Sequence, residues 1–131
     1  MFNRNTTIVK FNEFELFTGV ASFQNGFERC SSLEEIKLAP QMGFASMCFD
    51  QCSKLKAITI PSAVTSIGHY ALRRCTSLKT ITSLPTTPPT WGSQSFDGTN
   101  PDVVYVPSAS VAAYKSASGW SAYASKIQAI P

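Results

Sequence analysis

Apolar side chains return at fixed intervals along the middle of this chain. Phe27, Cys30, Leu33, Ile36 and Leu38 stand at offsets 0, 3, 6, 9 and 11, and Phe49, Cys52, Leu55, Ile58 and Ile60 repeat them. Leu72, Cys75, Leu78 and Ile81 follow at the first four offsets, so the cysteines fall 22 and then 23 residues apart. After each leucine the pattern shortens to period two: Ile36 and Leu38 alternate with Glu35 and Lys37, and Ile58 and Ile60 with Ala57 and Thr59. Such alternation with β-branched residues predicts a short strand with one buried face. Pro61, or the Ala39-Pro40 pair, ends it, because proline has no N–H for the ladder. A second extended run, Val64-Thr65-Ser66-Ile67, points Val64 and Ile67 inward, and Gly68 turns the chain into an expected short helix, His69–Arg74. Met42–Phe49 is the matching segment one repeat earlier. Gly26, Cys48 and Ala71 form a column of small residues, suited to a close approach of helix and strand wall.

The same offsets extend into both flanks. Phe2, Asn5, Ile8 and Phe11 reproduce them upstream. Downstream, Phe96 and Thr99 take the Phe49 and Cys52 places, and Val104-Tyr105-Val106-Pro107 replays Ile58–Pro61 with one residue deleted from the turn before it. Five coils therefore begin at Phe2, Phe27, Phe49, Leu72 and Phe96. A fixed period carrying Leu, Cys and Ile predicts a leucine-rich repeat fold. The expectation is one α/β domain over 1–131, a right-handed solenoid of about five repeats of 22–25 residues with a parallel sheet of short strands and short helices opposite. Residues 1–26 form a degenerate first coil and lead-in, 27–85 the regular repeats, 86–107 a degenerate last coil behind the loop Thr86–Gly92, and 108–131 a cap. In the cap, Ser108 is expected to start a helix through Val111–Lys115. Trp120, Tyr123, Ile127 and Ile130 are expected to cover the last coil. Burying one apolar side chain is worth roughly 1.5–3 kcal/mol, realised here only when coils stack on their neighbours. The first coil begins with no capping segment before it, which leads us to expect further chain upstream.

Composition narrows the function. Of 131 residues 44% are hydrophobic and 15% charged, which argues against disorder. The net charge of +3 is spread along the chain, with no run that suggests nucleic-acid binding. No apolar stretch is long enough to span a membrane, and Met1–Asn5 opens no secretory signal.

Candidate chemistry is sparse. Asn5, Cys30, Cys52, Cys75 and Thr99 form one inward column, where cysteine packs as a small apolar residue. A disulfide between adjacent coils stays open on distance, since neighbouring strands lie ~4.8 Å apart. Cys48, Cys52 and His69 do not follow zinc-finger spacing. His69 starts an outer segment while the thiols point inward, so no Cys–His nucleophile is expected. Glu34 and Glu35 adjoin a strand and face opposite sides. No phosphate-binding glycine loop occurs. No enzyme, metal site or cofactor is therefore expected.

The outward strand positions remain as the candidate contact surface: Lys10 and Asn12, Glu35 and Lys37, Ala57 and Thr59, Thr80 and Thr82, Val103 and Tyr105. They grade from charged to apolar and aromatic. Extended repeat faces commonly bind partners, and tyrosine is enriched in binding hot spots. Trp91, beside Pro88-Pro89, is either an exposed anchor or part of the cap.

The run Leu55-x-x-Ile58-x-Ile60-Pro61-x-x-Val64-x-x-Ile67-Gly68-x-x-Ala71-Leu72-x-x-Cys75-x-x-Leu78 resembles the BspA-type leucine-rich repeat family of surface and secreted proteins of gut and oral bacteria. Leu72 departs from the phenylalanine usual at its place. Asn12–Val20 is similar to the lead-in before the first regular repeat, and Tyr105–Tyr123 to the module that closes such arrays. The resemblance implies a cell-surface or secreted, non-enzymatic adhesion module. It would bind a protein ligand, such as a host extracellular protein, or a glycan, and would meet a membrane only through an anchor outside this chain. The alternative is a structural spacer or assembly segment of a larger surface protein.

Overall fold

The computed structural model describes residues 2–16, 19 and 21–131. Where the sequence alternates with period two, strands form and bury every second side chain. They are β1 (Lys10–Phe11), β2 (Glu35–Ile36), β3 (Ala57–Ile60), β5 (Thr80–Ser83) and β7 (Val103–Val106), with β8 (Ile127–Ala129) contributed by the C-terminal segment. All described pairings are parallel. The register stacks Ala57 on Thr80 on Val103, and Thr59 on Thr82 on Tyr105 on Gln128.

One continuous sheet is expected from the sequence, and the structure divides it. β3, β5, β7 and β8 make a four-stranded sheet, while β1 and β2 pair separately. Between β2 and β3 the backbone link is Lys56 N–H to Glu34 O, 3.2 Å. The corner that follows explains the parting. Pro40 falls four residues after Ile36, whereas Pro61 falls three after Ile58; yet Ile36 lies eight residues before Phe44 and Ile58 nine before its bridge partner Ile67. The two coils therefore round the corner out of step, and their strands diverge towards it.

On a second wall β4 (Ser66–Ile67) pairs with β6 (Thr90–Trp91), and Phe44 bridges to Ile67. Here glycine is needed for close approach: a Cβ on Gly92 would stand 2.7 Å from His69 N, and one on Gly68 would strike Ser46 N.

The short helices expected opposite the sheet are absent among the described residues of the repeats. His69–Arg74 and its counterparts are runs of turns. From the second coil on, the run at each coil's start holds two residues in left-handed backbone, Tyr70 (φ 57°) and Arg74 (φ 55°) on either side of Leu72. A right-handed helix cannot pass through them. Alternate N–H groups close local turns, Ala71 to Gly68 O and Arg73 to Tyr70 O. The others reach the next coil, Tyr70 to Ser93 O (3.1 Å), Leu72 to Ser95 O (2.8 Å) and Arg74 to Asp97 O (2.8 Å). A six-residue helix would leave its first four N–H groups without partners inside the coil. The turns instead make a second backbone ladder between coils, which keeps buried donors paired.

Both ends of the core are aromatic. Phe2, Phe11, Phe14, Phe23, Phe27 and Phe49 pack ring to ring at one end. Of the expected lead-in, Phe14–Leu16 is a 3-10 turn, and Phe17, Thr18 and Val20 lie outside the described residues. At the other end Tyr114 from α1 (Val111–Ser116) and Trp120 are fully buried, with Tyr123 nearly so. Their polar tips bond backbone carbonyls: Tyr114 OH to Pro85 O, Trp120 Nε1 to Pro89 O and Tyr123 OH to Thr99 O, at 2.7 to 2.8 Å. Ser108 does not cap α1. It opens a 3-10 turn, the N-cap position belongs to Ser110, and the Ser110 hydroxyl bonds Thr86 O instead. The cap ends by adding β8 to the sheet, which the expected aromatic tail did not include.

Candidate binding surface

Outward residues of β1 and β2 bond one another. Lys10 Nζ lies 3.2 Å from one Glu35 oxygen, and Asn12 Nδ2 donates to the other at 2.7 Å. The hydrogen bond from Asn12, then Lys10, holds the Glu35 carboxyl below the usual carboxylate range. Lys56 does the same for Glu34 across the divided junction, at 2.6 Å. Lys37 is exposed and has no ion pair among the described residues. On the larger sheet Ala57 and Thr59 are exposed, while Thr80, Thr82, Val103 and Tyr105 are half-buried by their stacked neighbours. The structure thus brings six of the ten outward positions onto one face and adds Gln128 from the cap. Lys10, Asn12, Glu35 and Lys37 belong to the separate pair of strands or its margin.

Where β2 and β3 part, a groove of about 440 Å³ opens, lined by Ile36, Lys37, Leu38, Pro40, Thr59, Pro61, Ser62 and Leu84. Its floor and walls are mostly apolar, and Lys37, Thr59 and Ser62 supply polar groups. Leu84, 38% exposed, is one of the few large apolar side chains left open. A shallower depression continues along the junction between Glu34, Glu35, Lys56 and Ala57. Sequence reasoning selected Lys37 and Thr59 but missed the groove. The shifted position of Pro40 relative to Pro61 was the signal for it.

The inward column proves to be a chain of donors. Cys30 Sγ donates to Phe2 O (3.0 Å), Cys52 Sγ to Phe27 O (3.0 Å) and Cys75 Sγ to Phe49 O (3.2 Å); Thr99 Oγ1 donates to Leu72 O. Each thiol thus satisfies a carbonyl of the preceding coil as well as filling space. Asn5 opens the column differently, its Oδ1 accepting N–H bonds from Thr7 and Ile8, both at 2.9 Å. All four cysteines are buried free thiols. Burial pushes the thiols of Cys48 and Cys52 far up and that of Cys75 to about 12, so none forms a nucleophilic thiolate near neutrality. His69 stands outside, exposed, and its Nδ1 accepts the Ser93 N–H at 2.7 Å.

Trp91 is half-buried, its ring 4.4 Å from Phe96, 5.2 Å from Trp120 and 5.8 Å from Tyr123 between centroids. Gly119 at φ 84° leaves the space it occupies, since a Cβ there would come within 2.5 Å of the Trp91 ring. The residue is built into the aromatic end of the core.

Stacked short parallel strands, proline-ended and joined by turn runs, place these surfaces on a repeat fold. Residues 7–118 match the model of the BspA type leucine-rich repeat region in six copies. The chain belongs to the BspA-type leucine-rich repeat family. The model counts one copy more than the five coils marked by Phe2, Phe27, Phe49, Leu72 and Phe96. None of the curated proteins compared with it matches the chain. BspA-type regions are repeat modules, generally non-enzymatic and typical of bacterial surface proteins. In this BspA-type region no described helix is long and apolar enough to cross a membrane.

Proposed function

We propose that this BspA-type region is a binding and adhesion module of a bacterial cell-surface or secreted protein, taking a protein ligand on its sheet face. The coils are read as a right-handed solenoid, the hand that parallel strand crossovers adopt. The observation that carries the functional reading is the groove between β2 and β3. It offers an apolar slot on the outward face, with Lys37 and Thr59 at its margin. Protein ligands anchor through a few side chains that fill such pockets, surrounded by polar contacts. The threonine rows and Tyr105 beside it supply hydrogen-bonding and aromatic contact area.

Thr59→Arg would fill the slot from an exposed position and leave the core untouched. Binding to a panel of immobilised host extracellular proteins and glycans should fall by about tenfold or more with the thermal midpoint unchanged. Alanine changes at Lys37, Thr82 and Tyr105 should lower it further. Undiminished binding by all four variants sinks the sheet-face reading and leaves the role of spacer or assembly segment.

A further inference from the structure

Four turn runs make two excursions into left-handed backbone, and the second of each, with Arg4 of the first coil, stack into a row. The row is Arg4, Arg29, Gln51, Arg74 and Gly98, with φ of 59°, 57°, 60°, 55° and 72°. Backbone bonds hold it in register: Arg4 N–H donates to Glu28 O, Arg29 to Asp50 O, Gln51 to Arg73 O and Arg74 to Asp97 O, all at 2.7 to 2.8 Å. Successive members therefore stand about one strand spacing apart, ~4.8 Å. The first excursions are chemically mixed, Asn25, Met47, Tyr70 and Gln94, so this backbone does not itself select a side chain. In the second row the choice is guanidinium. Three of the chain's four arginines stand in it, and the fourth, Arg73, is neutralised by Asp50.

These arginines are exposed and have little carboxylate company. Arg4 and Arg74 have no ion pair among the described residues, and Arg29 meets Glu28 only at 3.7 Å. Glu28 is itself engaged by Asn3 and Asn25. Gly98 ends the row without a side chain: a Cβ there would stand 3.3 Å from Arg74 Cγ. A broad groove of about 630 Å³ runs along the row, lined by Arg29, Ser31, Gln51, Ser53, Arg74 and Thr76. Every lining side chain ends in a polar group, and a hydroxyl recurs once per coil. The fold aligns on this edge three arginines that stand far apart in sequence.

We propose that this edge binds an anionic polysaccharide lying along the stack of coils. The guanidinium groups of Arg4, Arg29 and Arg74 take its sulfate or carboxylate groups, since the arginine fork matches two oxygens at once. The hydroxyls of Ser31, Ser53 and Thr76 and the Gln51 amide take its sugar hydroxyls. A polymer that is polar throughout and charged at regular intervals fits a groove built the same way. A protein ligand would bring apolar anchors, for which this groove has no pocket. A single-stranded nucleic acid would need aromatic platforms, and no ring lines it. The edge shares no lining residue with the sheet-face groove, so the two sites are tested separately.

The test uses heparin as a sulfated probe, polygalacturonate as a carboxylated one and dextran as a neutral control, with polyglutamate and single-stranded DNA as other polyanions. The whole chain should bind heparin or polygalacturonate and not dextran. In R29Q/R74Q, affinity should fall by at least about tenfold, and the slope of log affinity against log salt should flatten by ~2. Gln51 already occupies this row at φ 60°, so glutamine suits the backbone and the thermal midpoint should not move. Arg74→Glu, measured alone at an exposed position, should weaken binding more than Arg74→Gln, and Thr59→Arg should leave it unchanged. Failure to bind either anionic polysaccharide, or unchanged affinity in the arginine variants, overturns the proposal. Equal or tighter binding of polyglutamate or DNA overturns the ligand class.

Discussion

Arg73 clasps Asp50 across the boundary between the third and fourth coils. Its Nε and Nη2 reach the two carboxylate oxygens at 2.8 Å each, and its guanidinium lies 4.4 Å from the centre of the Tyr70 ring. The Asp50 side chain is 1% exposed and that of Arg73 23%, so the carboxylate is cut off from water while the guanidinium reaches the surface. Both residues occupy the position just after the coil's first apolar landmark, at Phe49 and Leu72. The pair therefore ties adjacent coils on the turn side, opposite the strand ladder.

Removing one partner leaves a buried charge uncompensated. Arg73→Ala should lower the unfolding free energy by about 3 kcal/mol, in the range for a broken buried pair. Asp50→Asn/Arg73→Met should recover much of that loss, because neither residue then carries an unpaired charge. Denaturant melts of the single and double variants measure it. A loss under about 0.5 kcal/mol in Arg73→Ala would place the pair with ordinary surface contacts.

The cysteine column makes a pH-dependent and a chemical prediction. Burial raises the thiol pKa values, so the folded chain holds these protons more tightly than the unfolded one. Stability from this source is complete below the unfolded thiol value, about 8.5. It is lost as pH rises from there towards the folded values, about 12 for Cys75. Chemical denaturation followed from pH 7 to 11 should show that decline, and it should lessen in Cys52→Thr/Cys75→Thr, which keeps hydroxyl donors as Thr99 does. Thiol titration without reductant should find no reactive thiol in the native chain and all four after denaturation. Two or fewer on denaturation would mean that a disulfide exists.

The C-terminal segment closes the last coil both by ring packing and by adding a strand. Ending the chain after Pro107 removes Tyr114, Trp120, Tyr123 and β8, and uncovers Phe96 and Trp91. The shortened chain should aggregate or unfold at ambient temperature. Trp120→Ala alone, a cavity in the same cluster, should cost about 3–5 kcal/mol. A soluble truncated chain with an unchanged melting temperature would show that the core does not need this cover.

The inward positions were legible in the chain itself. Offsets 0, 3, 6 and 9 name Phe27, Cys30, Leu33 and Ile36, and Phe49, Cys52, Leu55 and Ile58, all of them buried. The coils at Phe2 and Phe96, recovered from weaker matches, stack with the others through β1 and β7. Apolar periodicity is a local record of which side chains leave water, so it survives in one dimension. The destination of the backbone hydrogen bonds is not written there. His69–Arg74 could coil into a helical turn or share alternate donors with the next coil. Sharing occurs because Tyr70 and Arg74 turn left-handed where a neighbouring backbone lies within reach. The strand at Ile127, the parting of β2 from β3 and the alignment of Arg4, Arg29 and Arg74 are also tertiary outcomes. Sequence determined most of the buried positions and that the coils repeat, although Ile130, expected within the cap, is 39% exposed. Stacking decided which coil edges meet, because residues more than twenty positions apart become neighbours only when two coils compete for the same hydrogen bonds and the same space.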